Sequence, residues 1–192
     1  MIASKITDLI GNTPMLKLKM KNNDWNVFLK LEKFNPGGSM KDRMALKMIE
    51  EAEKSGQLKP GGTIIESSSG NTAIGLAIAS AIKGYHFIAV VDHHASKEKI
   101  DMIKAYGAEI VVVGDGYKAN EVAVIEREKT AKRMSEEMEN AFFPNQADNF
   151  NNRAAYIDTL ADELINDITT INSFYAAIGT GGSACGTAMG LK

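Results

Sequence analysis

Apolar residues in this chain come in short, nearly unbroken runs separated by stretches of helical period, an alternation that sets in from about residue 26. Val27-Phe-Leu-Lys-Leu31 reads as a strand, followed by a Pro-Gly-Gly turn and a helix over about residues 40–54. Residues 63–66 read as a brief strand, 71–83 as a helix of small residues and 86–91 as a strand. A helix over 97–106 is closed by Gly107, a strand follows at 109–113, and a long charged helix covers about 117–139. Residues 151–166 read as a helix, 173–178 as a strand, and 184 onward as the start of one more helix. Strands that are apolar along their whole length are buried on both faces. Their alternation with helices predicts an α/β fold with parallel sheets covered on both sides. No internal repeat or low-complexity segment interrupts the pattern.

The last elements change the picture. The strand at 173–178 is followed by a glycine loop and barely two helical turns before Lys192. A parallel strand needs neighbours, and little sequence remains to supply them. The expectation is an α/β domain cut off midway, either a fragment or one completed by another polypeptide.

Composition narrows the classes. At 192 residues the chain amounts to one ordinary domain or one and a half small ones. Hydrophobic residues make up 44%, enough for a sizeable core, and charged residues 24%, which argues against disorder. The net charge is −2 with acids and bases interleaved, so no basic stripe suits nucleic acid and no polybasic cluster suits an anionic membrane. The longest mainly apolar stretch, residues 72–82, is too short to span a bilayer, and the N-terminus lacks the apolar core of a signal peptide. The single cysteine, Cys185, excludes an internal disulfide and reads as a packed small residue rather than a nucleophile. A cytoplasmic protein is expected. The ten methionines read as core filler. His93 and His94 are adjacent and point in different directions, a poor arrangement for a metal, and no metal is expected.

Lys41 carries the first candidate chemistry. It lies in Asn35-Pro-Gly-Gly-Ser-Met-Lys41-Asp-Arg43, in the first turn of the helix after the turn. A helix N-terminus carries partial positive charge, so lysine gains nothing in stability there. The same field, with some burial, favours the neutral amine, which is the form that attacks an aldehyde to give a Schiff base. The alternative is a solvated surface lysine. Asp42 and Arg43 could pair with neighbours near Lys41, but charges beside a helix start are common.

Two loops reinforce the lysine. Ile178-Gly-Thr-Gly-Gly-Ser-Ala184 follows an apolar run and opens a helix. Its glycines let backbone N–H groups converge on an anion, and the hydroxyls of Thr180 and Ser183 can donate to the same oxygens. A phosphate site is expected at Gly179, Thr180, Gly181, Gly182 and Ser183. A tight strand-to-helix turn is the alternative. A nicotinamide site fits poorly, because that fingerprint opens the first βα unit and needs an acidic residue farther on. Glu66-Ser-Ser-Ser-Gly-Asn-Thr72 joins a strand to a helix N-terminus, and three hydroxyls, a glycine and an amide form a nest suited to a carboxylate. Simple N-capping would explain one of these residues but not all of them.

Together these three motifs resemble the cysteine synthase family, the O-acetylserine sulfhydrylases and cystathionine β-synthases of the fold-type-II pyridoxal-phosphate enzymes. Ile10-Gly-Asn-Thr-Pro-Met15 and Asn145-Gln146 add to the resemblance, which covers essentially the whole chain. It implies a two-domain architecture like that of the tryptophan synthase β-subunit. Residues 1–40 and 146–192 would belong to the larger, incomplete cofactor-phosphate domain, and residues 41–145 to the smaller one. It implies pyridoxal 5'-phosphate held covalently by Lys41, with Asn71 bonding the ring hydroxyl and Gly179 to Ser183 cradling the phosphate. Ser68, Ser69, Gly70, Asn71 and Thr72, with Gln146, would grip the carboxylate of a small amino-acid substrate. It also implies a homodimer and a cleft able to take the C-terminal tail of serine acetyltransferase.

Three departures qualify the carry-over. Plain cysteine synthases usually have Pro-Thr where this chain has Ser67-Ser68. The triple serine, the Met-Lys-Asp-Arg spelling and Val90-Val-Asp92 look more like synthases that join O-phosphoserine to glutamate, en route to diaminopropionate. Ala73 stands where the family commonly has glycine. The family's remaining strands and helices are absent, including the serine or threonine that bonds the pyridine nitrogen. The expected activity is β-replacement on O-acetylserine or O-phosphoserine. The alternatives are a truncated non-catalytic paralogue that serves as an interaction module, and a serine or threonine dehydratase. Dehydratases usually show Ser-Phe-Lys-x-Arg-Gly-Ala, a spelling that Met40 and Met44 break.

Overall fold

A computed structural model describes residues 2–21, 25–114 and 123–192. An antiparallel pair opens the chain, β1 (Met15–Leu18) against β2 (Val27–Lys30), with Met15 opposite Lys30. Then follow α1 (Lys41–Ser55), β3 (Thr63–Ser67), α2 (Asn71–Lys83), β4 (His86–Val91), α3 (Lys97–Ala105), β5 (Glu109–Val112), α4 (Val124–Glu137) and the short β6 (Ala141–Phe142). The second sheet runs β5-β4-β3-β6, parallel throughout, with Thr63 beside both His86 and Ala141.

The unbroken apolar strands serve two cores at once. Successive side chains of a strand face opposite ways. In β3 and β4, Ile64, Phe87, Ala89 and Val91 pack with α1 and α2, whereas Ile65, Ile88 and Val90 pack with Ala131 of α4. Alternation therefore assigns each face its own layer. The small residues of α2 are buried without a break from Thr72 to Ser80. One of them, Gly75, lets α2 lie directly on α1. A β-carbon there would stand 3.2 Å from the Cα of Asp42 and 3.1 Å from the Cβ of Ala45.

A third cluster joins the two ends of the chain. Met44 and Met48 of α1 pack with Ala155, Tyr156, Leu160 and Leu164, and Met15, Met40, Ile171 and Leu191 lie against them. The helix expected over 151–166 is interrupted there. It comprises α5 (Phe150–Ala155), a π-helical turn (Tyr156–Ala161) and α6 (Asp162–Asp167). Beyond it lies α7 (Gly182–Gly190).

Several expectations are corrected. Residues 173–178 form no strand, and Tyr175 and Ile178 are 90% and 76% exposed. A strand is a hydrogen-bonded state, and no strand among the described residues lies beside this one. Cys185 is exposed rather than packed. Met44 and Met48 are core residues, but Met20, Met102, Met138 and Met189 are exposed. Residues 117–122 of the long charged helix lie outside the described residues. Among the described residues no helix is long and apolar enough to cross a membrane, and no cluster of His, Cys, Asp or Glu is arranged to hold a metal.

Candidate active site

Lys41 is the first residue of α1, and the turn before it is fixed from several sides. Its backbone N–H donates to Ser39 Oγ (3.2 Å), and the Tyr156 hydroxyl donates to the carbonyl of Met40 (3.1 Å). The Lys41 side chain is half-buried, with Met44 Sδ as neighbour of Nζ at 3.9 Å. Burial lowers its pKa, in the direction that favours free amine.

Asp42 and Arg43 are far from ordinary surface charges. Both are buried. Asp42 accepts from the N–H of Gly37, leaves its other oxygen without a partner, and is pushed by burial up to about 6. Arg43 donates to both oxygens of Glu32 (2.7 and 2.8 Å) and to both of Glu163 (2.5 and 2.9 Å). Lys30 Nζ adds a contact to Glu163 at 2.8 Å, and Asn12 N donates to the same carboxylate. Burial works to raise Glu163, but the hydrogen bonds from Arg43 and Lys30 outweigh it and hold the group at about 2. This cluster ties the N-terminal Gly-Asn-Thr segment, β2 and α6 to the helix that carries Lys41. Paired charges are invisible in a linear sequence when 120 residues separate them.

The serine loop leaves β3 and caps α2. Ser67, Ser68 and Thr72 are buried, Ser69 and Gly70 half-buried, and Asn71 exposed. Gly70 N donates to Ser68 Oγ (3.2 Å). Beneath the loop lies Glu66, which the sequence reading passed over. It accepts from Ser67 N (2.8 Å) and Gln146 N (3.1 Å), and burial outweighs both bonds to push it up to about 7. Its only sequence signal is a charged residue between a short apolar run and the serines.

A line of hydrogen bonds then crosses to the glycine loop. Thr72 Oγ1 donates to Gln146 Oε1 (2.6 Å), and Asn152 Nδ2 donates to the carbonyl of Gln146 (2.7 Å) and to Thr180 Oγ1 (3.1 Å). Asn152 is 97% buried, to judge by its 3% exposure, and it too was missed by sequence reasoning. Its Oδ1 has no hydrogen bond and lies against Gly182, where a β-carbon would collide with it. Gly181, at φ +85°, turns the chain into α7. Gly179 and Thr180 are exposed, and Gly181, Gly182 and Ser183 are half-buried.

One close approach brings the helix of the lysine against the helix of the serine loop. Gly75 of α2 lies on the backbone of Asp42, so the N-terminal turns of α1 and α2 meet. A half-buried amine, a polar nest at one helix N-terminus and a glycine loop at another thus share one region. Each loop can bind an anion through N–H groups and hydroxyls.

Comparison with known proteins identifies the family. Residues 6–192 match the model of a family described as pyridoxal-phosphate dependent enzyme. A cysteine synthase of Staphylococcus aureus is 44% identical over 191 residues, covering 97% of this chain and 60% of the relative. The crystal structure of a hydrogen sulfide-producing enzyme from Fusobacterium nucleatum superposes with a TM-score of 0.90 at 40% identity, covering 100% of this chain and 62% of that one. That of an O-acetylserine dependent cystathionine beta-synthase from Helicobacter pylori gives 0.89 at 35% identity, covering 100% and 62%. The chain therefore spans about 60% of the length of the relatives it matches. From the match along nearly its whole length, the chain belongs to the family of pyridoxal-phosphate dependent enzymes.

Proposed function

We propose that this chain is the cofactor-binding part of an enzyme that replaces the β-substituent of an activated serine, in the manner of a cysteine synthase. The observation that carries the reading is the line Thr72–Gln146–Asn152–Thr180, which ties the serine-loop nest to the glycine loop, in a chain whose Lys41 is desolvated.

The residues suit the family's cofactor. Pyridoxal phosphate brings a phosphate, a ring hydroxyl and an aldehyde. Gly179 to Ser183 offer backbone N–H groups and two hydroxyls for the phosphate, and nothing lies within 4 Å of where a β-carbon on Gly179 would stand. Buried Asn152 backs the loop from the protein side. Asn71 offers its amide for the ring hydroxyl. Lys41 has no carboxylate partner among the described residues, so its amine is available to the aldehyde carbon. When bound, the cofactor supplies an electron sink for charge developing at the substrate's α-carbon. Ser68, Ser69, Gly70, Asn71 and Thr72, with Gln146, hold the substrate carboxylate. Lys41 Nζ takes the α-proton and returns it to the same carbon after replacement at Cβ.

The donor follows from the loop. Ser67 and Ser68 stand where plain cysteine synthases carry Pro-Thr, and extra hydroxyls beside an anion nest suit a more highly charged ligand. O-phosphoserine is accordingly accepted at least as well as O-acetylserine. The resemblance extends the proposal to a division of the chain into residues 1–40 with 146–192 and residues 41–145. It extends it also to a homodimer and to a cleft that takes the serine acetyltransferase tail.

Borohydride treatment of the protein incubated with pyridoxal phosphate tests the assignment. Reduction is expected to fix the cofactor on Lys41, and Lys41→Ala is expected to stay colourless. A label on another lysine, with Lys41→Ala still coloured, overturns it. Turnover of both donors with sulfide or glutamate tests the substrate. A clear preference for O-acetylserine with sulfide returns the reading to ordinary cysteine synthesis.

A further inference from the structure

Lysines that are half-buried need a counter-charge, because desolvation penalises the ammonium. Among the described residues five lysines are half-buried: Lys30, Lys41, Lys47, Lys83 and Lys99. Lys30 pairs with Glu163, Lys47 with Asp158 and Lys83 with Glu53. Lys41 and Lys99 have no carboxylate partner among the described residues. The first is the proposed cofactor lysine. The second lies on α3, and its Nζ stands 3.8 Å from the position a β-carbon on Gly70 would take, against the serine loop.

Nothing on its own helix compensates Lys99. Its neighbours three and four positions away are Ala95, Ser96, Met102 and Ile103, none of them acidic. Lys97, by contrast, pairs with Asp101 at that spacing, with its Nζ 2.6 Å from Oδ2. Lys99 also occupies the first turn of α3, where Ser96 Oγ accepts from its backbone N–H, and there the helix field disfavours a cation. An ammonium with no carboxylate partner among the described residues, against the helix field and beside a nest of hydroxyls, is placed for an anion from outside the chain.

We propose that Lys99 is the specificity-determining cation for a second anionic group on the substrate, a phosphate on the serine oxygen or a carboxylate of the incoming nucleophile. The α-carboxylate itself is held by the hydroxyls and N–H groups of Ser68 to Thr72. This rests on the β-replacement reading above and adds to it the residue that distinguishes charged from uncharged β-substituents. A charge-assisted bond of this kind discriminates strongly against an analogue lacking the charge.

The test uses the full chain loaded with pyridoxal phosphate and measures binding by calorimetry. One probe is the phosphonate isostere of O-phosphoserine, in which a methylene replaces the ester oxygen so that no group can leave. The other is norvaline, uncharged beyond its amino-acid head. The unaltered chain is expected to prefer the phosphonate. Lys99→Met is expected to weaken phosphonate binding about tenfold or more while leaving norvaline unchanged, and Lys99→Arg to retain the preference. If the preference survives Lys99→Met, or both ligands weaken equally, Lys99 is not the determinant although the substrate class stands. No preference in the unaltered chain also overturns the proposal. If neither analogue binds the unaltered chain, the β-replacement reading fails and this inference fails with it.

Discussion

The two candidate anion loops are built on the same plan and supported differently. The serine loop leaves β3, which is paired on both sides and buried, and enters α2, which is buried from Thr72 to Ser80. The glycine loop leaves residues 173–178, exposed and outside any strand, and enters α7, of which only Gly186 and Thr187 are buried. Similar chemistry is thus held by a sheet in one case and, in the other, by Asn152 and the packing of α7 on α5 and the π turn. A binding loop takes its rigidity from the elements that flank it, not from its own residues. The hydrogen bonds through Gln146 and Asn152 are how the firm loop lends order to the open one.

The largest effect should come from removing the support under the serine loop. Glu66→Ala leaves the N–H groups of Ser67 and Gln146 without an acceptor and opens a hole at the buried end of β3. We expect a loss of about 2–4 kcal/mol in urea unfolding. Loss of well under 1 kcal/mol would mean that the sheet, not Glu66, holds the loop. Gly181→Val probes the other side of the comparison. Its left-handed φ makes any β-branched residue strained, at about 1–2 kcal/mol. The nearest atom to an added β-carbon is Cys185 Sγ at 3.8 Å, so packing adds little. Pyridoxal phosphate affinity should fall about tenfold or more through blocked approach of the phosphate, with pyridoxal affinity nearly unchanged. Equal losses for the two ligands would make the loop purely structural.

A third effect is a pH dependence. Glu66 is raised from 4.5 to about 7 in the folded chain. Between those values the folded chain keeps a proton that the unfolded chain has lost, so stability falls as pH rises through this window. Asp42, raised from 3.8 to about 6, adds a fall over its own window. Glu163 acts in the opposite sense. Lowered from 4.5 to about 2, it contributes stability above 4.5 that is lost on acidification towards 2. Glu66→Gln should flatten the decline between pH 4.5 and 7 and leave the acid limb as it was, as read from urea midpoints across that range. An unchanged decline would assign it to Asp42 alone.

Sequence and tertiary structure divide the molecule along physical lines. Local pattern determined the elements that depend on local causes. The helices at 71–83 and 97–105 and the strand at 86–91 follow from hydrophobic period and from glycines or serines at their ends. The three motifs, too, stood out in the linear chain, because glycine, serine and asparagine in close succession have few structural uses. What the sequence could not determine is what depends on distant partners. Residues 173–178 have the composition of a strand, but only a neighbouring strand makes one. The helix over 151–166 has a helical period, yet a π turn interrupts it where Tyr156 is buried against α1. Arg43 resembles a surface charge until Glu163 meets it from across the chain, and Glu66, Lys99 and Asn152 gain meaning only from what folding brings beside them. Periodicity is a property of neighbours in sequence. Burial and charge pairing are properties of neighbours in space, and only the tertiary structure decides those.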